Sequence, residues 1–445
     1  MSEYEEEVAL HSSLDFSGNQ ISQSPSGSTK RTVFRPLGFS HSPLSDISVL
    51  LPANQSASYV DGGHRFLMSH KITPVGGNLT LGRSGIKGIF KRSLIQTPST
   101  TFQDLDELSN LECTLLSIDS DQLYTGGIAG LTQGTTCSNI GQTLSDGVTY
   151  KFTYVLTMNP LSMSSQYIPL FAREQIEFIW TLDDITNYGI WSAAPTGCDV
   201  SDFQLIADVI KLDPSTQQMA HESCVVPGLY QLQTTGIKLA AHTYVAAGVL
   251  STTIPITSNE NHVSKILVTF RPADAQNIRT RQNTARVNPS LTSIQFEAGT
   301  GNNFPQQPLK CTTTNASEVL CELMSAFNKL GNEAKGCSLN AMGSISQLNV
   351  GTSQATSPFY RLLTANSGNA VDGSNSGSFC VGLKLGGLDD DTSQSYSGIS
   401  TVGKVCNLHI TSSALTHPMY VDVYTFSNKT LTLDMNSDGL WDVTK

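Results

Sequence analysis

Asp434-Met-Asn-Ser-Asp-Gly439, followed by Asp442, is the stretch whose residue types and spacing come nearest to a metal site. Asp at position 1, Asn at 3, Asp at 5 and Gly at 6 repeat the start of a calcium loop, where alternate oxygen ligands converge around a sharp turn. Position 12 is Lys445 instead of a bidentate Glu, and the sequence ends there. Asp434, Asn436 and Asp438 are therefore read as a polar turn after a strand over Thr430–Leu433, rich in residues that form Asx turns. Asp389-Asp-Asp391 reads as a solvated loop tip. No metal is assigned.

Other chemistry is as thin. There is no GK[ST] phosphate loop, no HExxH and no GxSxG elbow, so the local signatures of phosphate cradling, zinc peptidases and serine hydrolases are missing. His64 and His70 lie near each other, and His221 precedes Glu222 at a candidate domain joint. Such dispersed histidines read as hydrogen-bonded structural residues. Basic clusters are Lys87, Lys91 and Arg92, and Arg271, Arg279, Arg281 and Arg286. The second lacks the aromatic platform on which nucleic-acid bases stack, so it reads as a solvated linker that could at most touch nucleic acid or an acidic neighbour. No catalytic, cofactor-binding or metal residue is assigned, and no cofactor is expected.

Bulk properties point the same way. Only 14% of the 445 residues are charged, against about a quarter in ordinary domains. Ser, Thr, Asn, Gln and Gly replace them, which suits long polar loops and large interfaces whose cores are depleted in charge. The net charge of −11 argues against a dedicated polyanion binder, whose affinity would rest on Lys and Arg. The cysteines (113, 137, 198, 224, 311, 321, 337, 380 and 406) are scattered without CxxC spacing, so they read as small buried apolar groups in a protein made in a reducing cytosol. The acidic Met1–Glu7 start is not followed by an apolar signal region, and no apolar run reaches membrane-spanning length.

The elements that would position any site repeat once. Residues 58–222 and 223–445 each run through an apolar β-rich opening, one amphipathic helix, a Gly/Ser-rich stretch and several strong strands. The helices are expected at Asp104–Ser117, with Leu105, Leu108, Leu111 and Leu115 on one face, and at Asn315–Leu330 behind an Asn315/Glu318 capping box. Strands are expected at Tyr150–Asn159, Gln175–Leu182, Phe203–Leu212, Phe379–Leu385, Val405–Thr411 and Met419–Phe426. In the last, Tyr420, Asp422, Tyr424 and Phe426 share one face, and Val421, Val423 and Thr425 the other. So few helices cannot supply βαβ crossovers, so the sheets should be antiparallel. Residues 1–57 lack a clear period and read as an arm, disordered or ordered by a partner, with structure starting near Tyr59.

Three passages carry a resemblance. Ser162-Met-Ser-Ser-Gln-Tyr-Ile-Pro-Leu170 followed by Gln175-Ile-Glu-Phe-Ile-Trp-Thr-Leu182, the strand Phe203–Asp213, and Leu291–Leu309 running into the Asn315 helix resemble successive passages in major capsid proteins of polinton-like viruses, adintoviruses and virophages, the adenovirus-hexon lineage. The likeness runs in order over residues 60–435. It implies an all-β double jelly roll, two eight-stranded antiparallel sandwiches in tandem with a few short helices in loops. It also implies homotrimeric, pseudo-hexameric capsomers that tile an icosahedral shell around double-stranded DNA, with no catalytic residues. The partners would be the chain itself, neighbouring capsomers, penton and minor capsid or cement proteins, with no membrane insertion and at most weak contact with packaged DNA. The location would be the virion, after synthesis in the host cytoplasm and assembly in cytoplasm or nucleus.

On that reading the loops 124–147 and 364–378, with the arm 1–50, supply subunit contacts, and deleting 1–50 spares the trimer but impairs shell assembly. The alternative is a receptor- or glycan-binding β-sandwich, as in a viral spike or adhesin. It requires an exposed aromatic platform, for which Trp180, Trp191 and Trp441 are the tryptophans present. An enzyme on a β-sandwich scaffold has no positive support.

Overall fold

The computed structural model describes residues 27–55, 58–61, 66–82, 84–118, 131–132, 142–156, 159–163, 167–216, 229–273, 277, 279, 283–284, 286, 289, 291–312, 316–327, 379–386, 398–413, 418–434 and 439–444. Its strands up to residue 105 are β1 (Gly27–Phe34), β2 (Ser40–His41), β3 (Asp46–Leu51), β4 (Ser58–Asp61), β5 (Leu67–Val75), β6 (Leu79–Leu81), β7 (Phe90–Gln96) and β8 (Thr101–Leu105). Helix α1 (Leu108–Ile118) follows, then β9 (Leu131–Thr132), β10 (Thr143–Leu144), β11 (Tyr150–Val155) and the short α2 (Pro160–Met163). The first half closes with β12 (Tyr167–Pro169), β13 (Ile176–Leu182), β14 (Gly189–Trp191) and β15 (Gly197–Leu212). The second half runs β16 (Leu229–Val245), β17 (Ser251–Ile256), β18 (Val263–Pro272), β19 (Leu291–Ala298) and β20 (Asn303–Lys310). After α3 (Ala316–Ala326) come β21 (Cys380–Lys384), β22 (Cys406–Ser412), β23 (Met419–Asp434) and β24 (Leu440–Thr444).

Every strand pairing described is antiparallel, and none joins the two halves. In the first half, an eight-stranded sheet that includes β1, β4, β5, β11 and β15 faces the sheet β3-β13-β7-β8, with a small β10-β6-β14 sheet beside them. Aromatic side chains fill the space between: Trp180 of β13 lies 5.4 Å from Phe203 of β15, and Phe178 lies 5.8 Å from Phe66. In the second half, the sheet β16-β23-β18-β21, with β24 on β23, faces β17-β22-β19-β20. Val268, Phe270, Val421 and Val423 from one sheet and Ile254, Ile294, Phe296 and Leu408 from the other form that core.

Local departures from the sequence reading have physical causes. The expected Asp104–Ser117 helix begins later because Thr101–Leu105 pairs with β7, Leu105 opposite Ser93. Glu107, at a left-handed φ of 53°, then turns the chain from strand into helix. The second helix is shorter than expected, and Asn315, its expected cap, lies outside the described residues. The described strands begin at Gly27, not near Tyr59. β3 pairs with β13 over Asp46–Leu51, and Ile47, Val49 and Leu51 are fully buried. Their alternation spans only three inward positions and becomes a strand through its partner, which the polar composition of residues 1–50 concealed.

Candidate functional site

The polar groups that converge most closely lie where helix α1 meets the second sandwich. The helix forms because Leu108, Leu111 and Leu115 recur at helical spacing and pack on the first sandwich. Its other face, including Ser109, Asn110 and Thr114, is buried as well. That face lies on the β16-β23-β18-β21 sheet, whose two sides are both covered. Val421 and Val423 point into the second core, while Tyr424 and Phe426 belong to the core cluster of the first.

Asp422 of β23 is the centre. Its Oδ2 accepts from Arg271 Nε at 2.6 Å and from Asn110 Nδ2 at 2.9 Å. Its Oδ1 pairs with Nδ1 of His242 on β16. Arg271 Nη2 also reaches Glu107 Oε2 at 2.9 Å, and the Tyr424 hydroxyl donates to the Glu107 carbonyl at 3.0 Å. Glu107 and Asn110 come from the first half; Arg271, Asp422, Tyr424 and His242 come from the second. Burial opposes the Asp422 charge, but the Arg271 cation and the His242 and Arg271 hydrogen bonds outweigh it and hold its carboxyl below the usual range. The Asp422 hydrogen bond raises His242 above its ordinary value. The histidine is held by an arginine-paired carboxylate and stacked on Tyr420 at 4.6 Å.

Further bonds join the halves around this network. Tyr230 Oη donates to the Tyr167 carbonyl at 2.6 Å, Thr100 Oγ1 to the Trp441 carbonyl at 2.9 Å, and Trp191 N to the Arg279 carbonyl at 2.8 Å. Trp441 packs edge-on against Phe102 at 5.6 Å. The arrangement can fix two sandwiches as one block.

The residues singled out in the sequence separate accordingly. Lys87 is buried in an ion pair with Glu112 at 3.1 Å, and Arg92 is held bidentately by Asp104. Arg271 and Arg286 are fully buried and Arg279 donates to the Trp191 carbonyl; Arg281 lies outside the described residues. The expected solvated linker is thus replaced, at these positions, by structural cations, because the first sandwich covers their sheet. Trp180, Trp191 and Trp441 are all buried, so none of the three supplies the exposed aromatic platform that the glycan-binding alternative required. His70 sits between the first two sheets within 6.2 Å of Phe90, Phe152, Tyr154 and Phe203, and burial lowers it to about 3. Of the described cysteines, 113, 198, 311, 380 and 406 are buried and Cys321 is exposed; burial pushes the Cys198 and Cys311 thiols up to about 12. Asn436, Asp438, Asp389-Asp-Asp391, His64, His221, Glu222 and the loop 364–378 lie outside the described residues, as does most of 124–147.

The network was missed because its members are far apart in sequence and none forms a local motif. The one signal was the polar face of β23, with Asp422 between Tyr420 and Tyr424.

No protein-family model and no curated protein matches the chain. Solved structures do. The quasi-atomic model of the PBCV-1 virus capsid is similar with a TM-score of 0.59 and 11% identity, over 96% of this chain and 98% of that one. The Sputnik virophage structure gives 0.51 and 11%, over 100% and 92%. The mavirus major capsid protein gives 0.50 and 11%, over 93% and 89%. The fold is a double jelly roll, all-β, as the resemblance implied.

Proposed function

We propose that this chain is the major capsid protein of an icosahedral double-stranded DNA virus, built as homotrimeric, pseudo-hexameric capsomers that tile the shell. The observation that carries the reading is the full-length double sandwich with its buried seam. Two sandwiches locked as one block, three copies together, present six similar edges to a lattice. A closed trimer joins two different, mutually complementary patches on each copy, and the low charge content of 14% suits large contacts of that kind. The units are the expected 58–222, extended by β1, β2 and β3, which pair with β15 and β13, and 223–445. The role is structural and not enzymatic, the partners are further copies with penton and minor capsid or cement proteins, and the place of action is the virion.

Light scattering on the purified protein, with negative-stain images of the same peak, tests this. A species near three times 47.8 kDa with a hexagonal outline supports it. A protein that stays monomeric at every concentration and forms no particles with its shell partners overturns it.

A further inference from the structure

Strand β1 stands at the rim of the first large sheet and pairs with β15 alone, in register from Gly27 opposite Leu212 to Phe34 opposite Leu205. Its outer edge has no partner strand among the described residues. Gly27 through Arg31 and Val33 are exposed, with Thr32 and Phe34 half-buried. An eight-residue strand with one open edge is a ready template for an added strand, and native proteins generally cover or charge such edges. Here Lys30 and Arg31 charge it. Arg31 faces Asp208 across the β15 pairing, but Lys30 faces Val209, so its cation is unmatched from that side.

The charge pattern selects the occupant. Two β1 strands paired antiparallel about their middle would set Lys30 opposite Arg31, and like charges directly opposite destabilise a ladder. The sequence holds one strongly acidic stretch long enough to form a strand, Glu3-Tyr-Glu-Glu-Glu-Val8. In one antiparallel register Glu5 falls opposite Arg31, Glu6 opposite Lys30, Tyr4 opposite Thr32 and Glu3 opposite Val33. Pairing it within one copy would need a hairpin loop of roughly 19 residues, far beyond the two to five usual for hairpins. A neighbouring copy needs no such loop.

We propose that the open edge of β1 accepts the acidic segment Glu3–Val8 of a second copy of this chain as an added antiparallel strand. The inference rests on the self-assembly reading above and names one of its contacts. Main-chain bonds supply affinity and the two charge pairs set the register.

The test uses the full chain with Cys321→Ser. One preparation carries Glu5→Cys, another Arg31→Cys, and the two are mixed, treated with a short bismaleimide and run on a denaturing gel beside the parent. A two-chain band specific to the mixture supports the proposal. A third preparation carries both substitutions in one chain; a link that forms within that chain but not in the mixture overturns it. In parallel, Lys30→Glu should weaken self-association about fivefold, with melting unchanged because its exposed side chain faces Val209 on β15, and Glu6→Lys in the same chain should restore it. If the parent assembles but neither the link nor the charge effect appears, strand addition is wrong and the capsid reading stands. If the parent never associates, both fall.

Discussion

Arg271 Nε donates to Asp422 Oδ2 at 2.6 Å with neither side chain exposed to solvent, and Glu107 of the other sandwich meets the same guanidinium at 2.9 Å. The pair belongs to one sheet, yet its remaining bonds reach into the first half, so the seam is electrostatic as well as apolar. A buried pair of this kind adds little net stability over a well-packed apolar pair, but losing one partner strands the other charge.

Asp422→Ala should therefore cost about 3–5 kcal/mol, because it takes the buried carboxylate from Arg271 Nε, Asn110 and His242 at once and leaves Arg271 with the Glu107 contact. Asp422→Leu with Arg271→Met should cost markedly less. Denaturant melts of the parent and the two variants check the order; equal losses for the single and double changes would mean that packing alone, and not charge pairing, holds this part of the seam.

His70 predicts acid lability. Its folded value of about 3 lies below the ordinary 6.5, so the unfolded chain binds the proton more tightly. Stability is intact above pH 6.5 and is lost as pH falls toward 3, by about 2 kcal/mol at pH 5. Melting temperature measured from pH 7 to 4.5 should fall, and His70→Phe should flatten the fall. An unchanged slope in that variant would assign acid sensitivity elsewhere.

His242 predicts the opposite limb. Its folded value is raised by Asp422, so its stabilisation is complete below the unfolded value near 6.5 and is lost as pH rises through the folded one. NMR titration with labelled histidine should find this resonance above 6.5, and Asp422→Asn should bring it down.

Truncation separates the N-terminal segments. Removing residues 1–50 takes away nearly all of β3, including the buried Ile47 and Val49, each worth roughly 1.5–3 kcal/mol of burial. The expectation that this deletion spares the trimer gives way to loss of the folded first sandwich. Removing residues 1–26 leaves every described strand in place and should preserve melting while weakening association. Circular dichroism melts and light scattering of both truncations decide it.

Strand alternation in the sequence already marks Phe152 and Tyr154 as inward-facing and places Tyr420, Asp422 and Tyr424 opposite Val421 and Val423. Helical spacing gives the apolar stripe Leu108–Leu111–Leu115, and scarcity of helices gives antiparallel sheets. These are local periodicities, fixed by backbone geometry of two and 3.6 residues. What periodicity cannot express is what covers the second face. Asp422 reads as a solvent-side position on its strand, and Asn110 as the polar side of an amphipathic helix. Both are buried because one sandwich is laid on the other, a contact between residues 312 apart in sequence. That docking turns two apparent surface arginines, Arg271 and Arg286, into fully buried groups that reach Glu107 and Cys113 of the first half. It also covers Trp441, which packs on Phe102 of the first half, while Trp180 is covered by Phe203 within its own sandwich, since whether a large side chain is exposed depends on the neighbour that packs on it and not on the residues beside it in the chain.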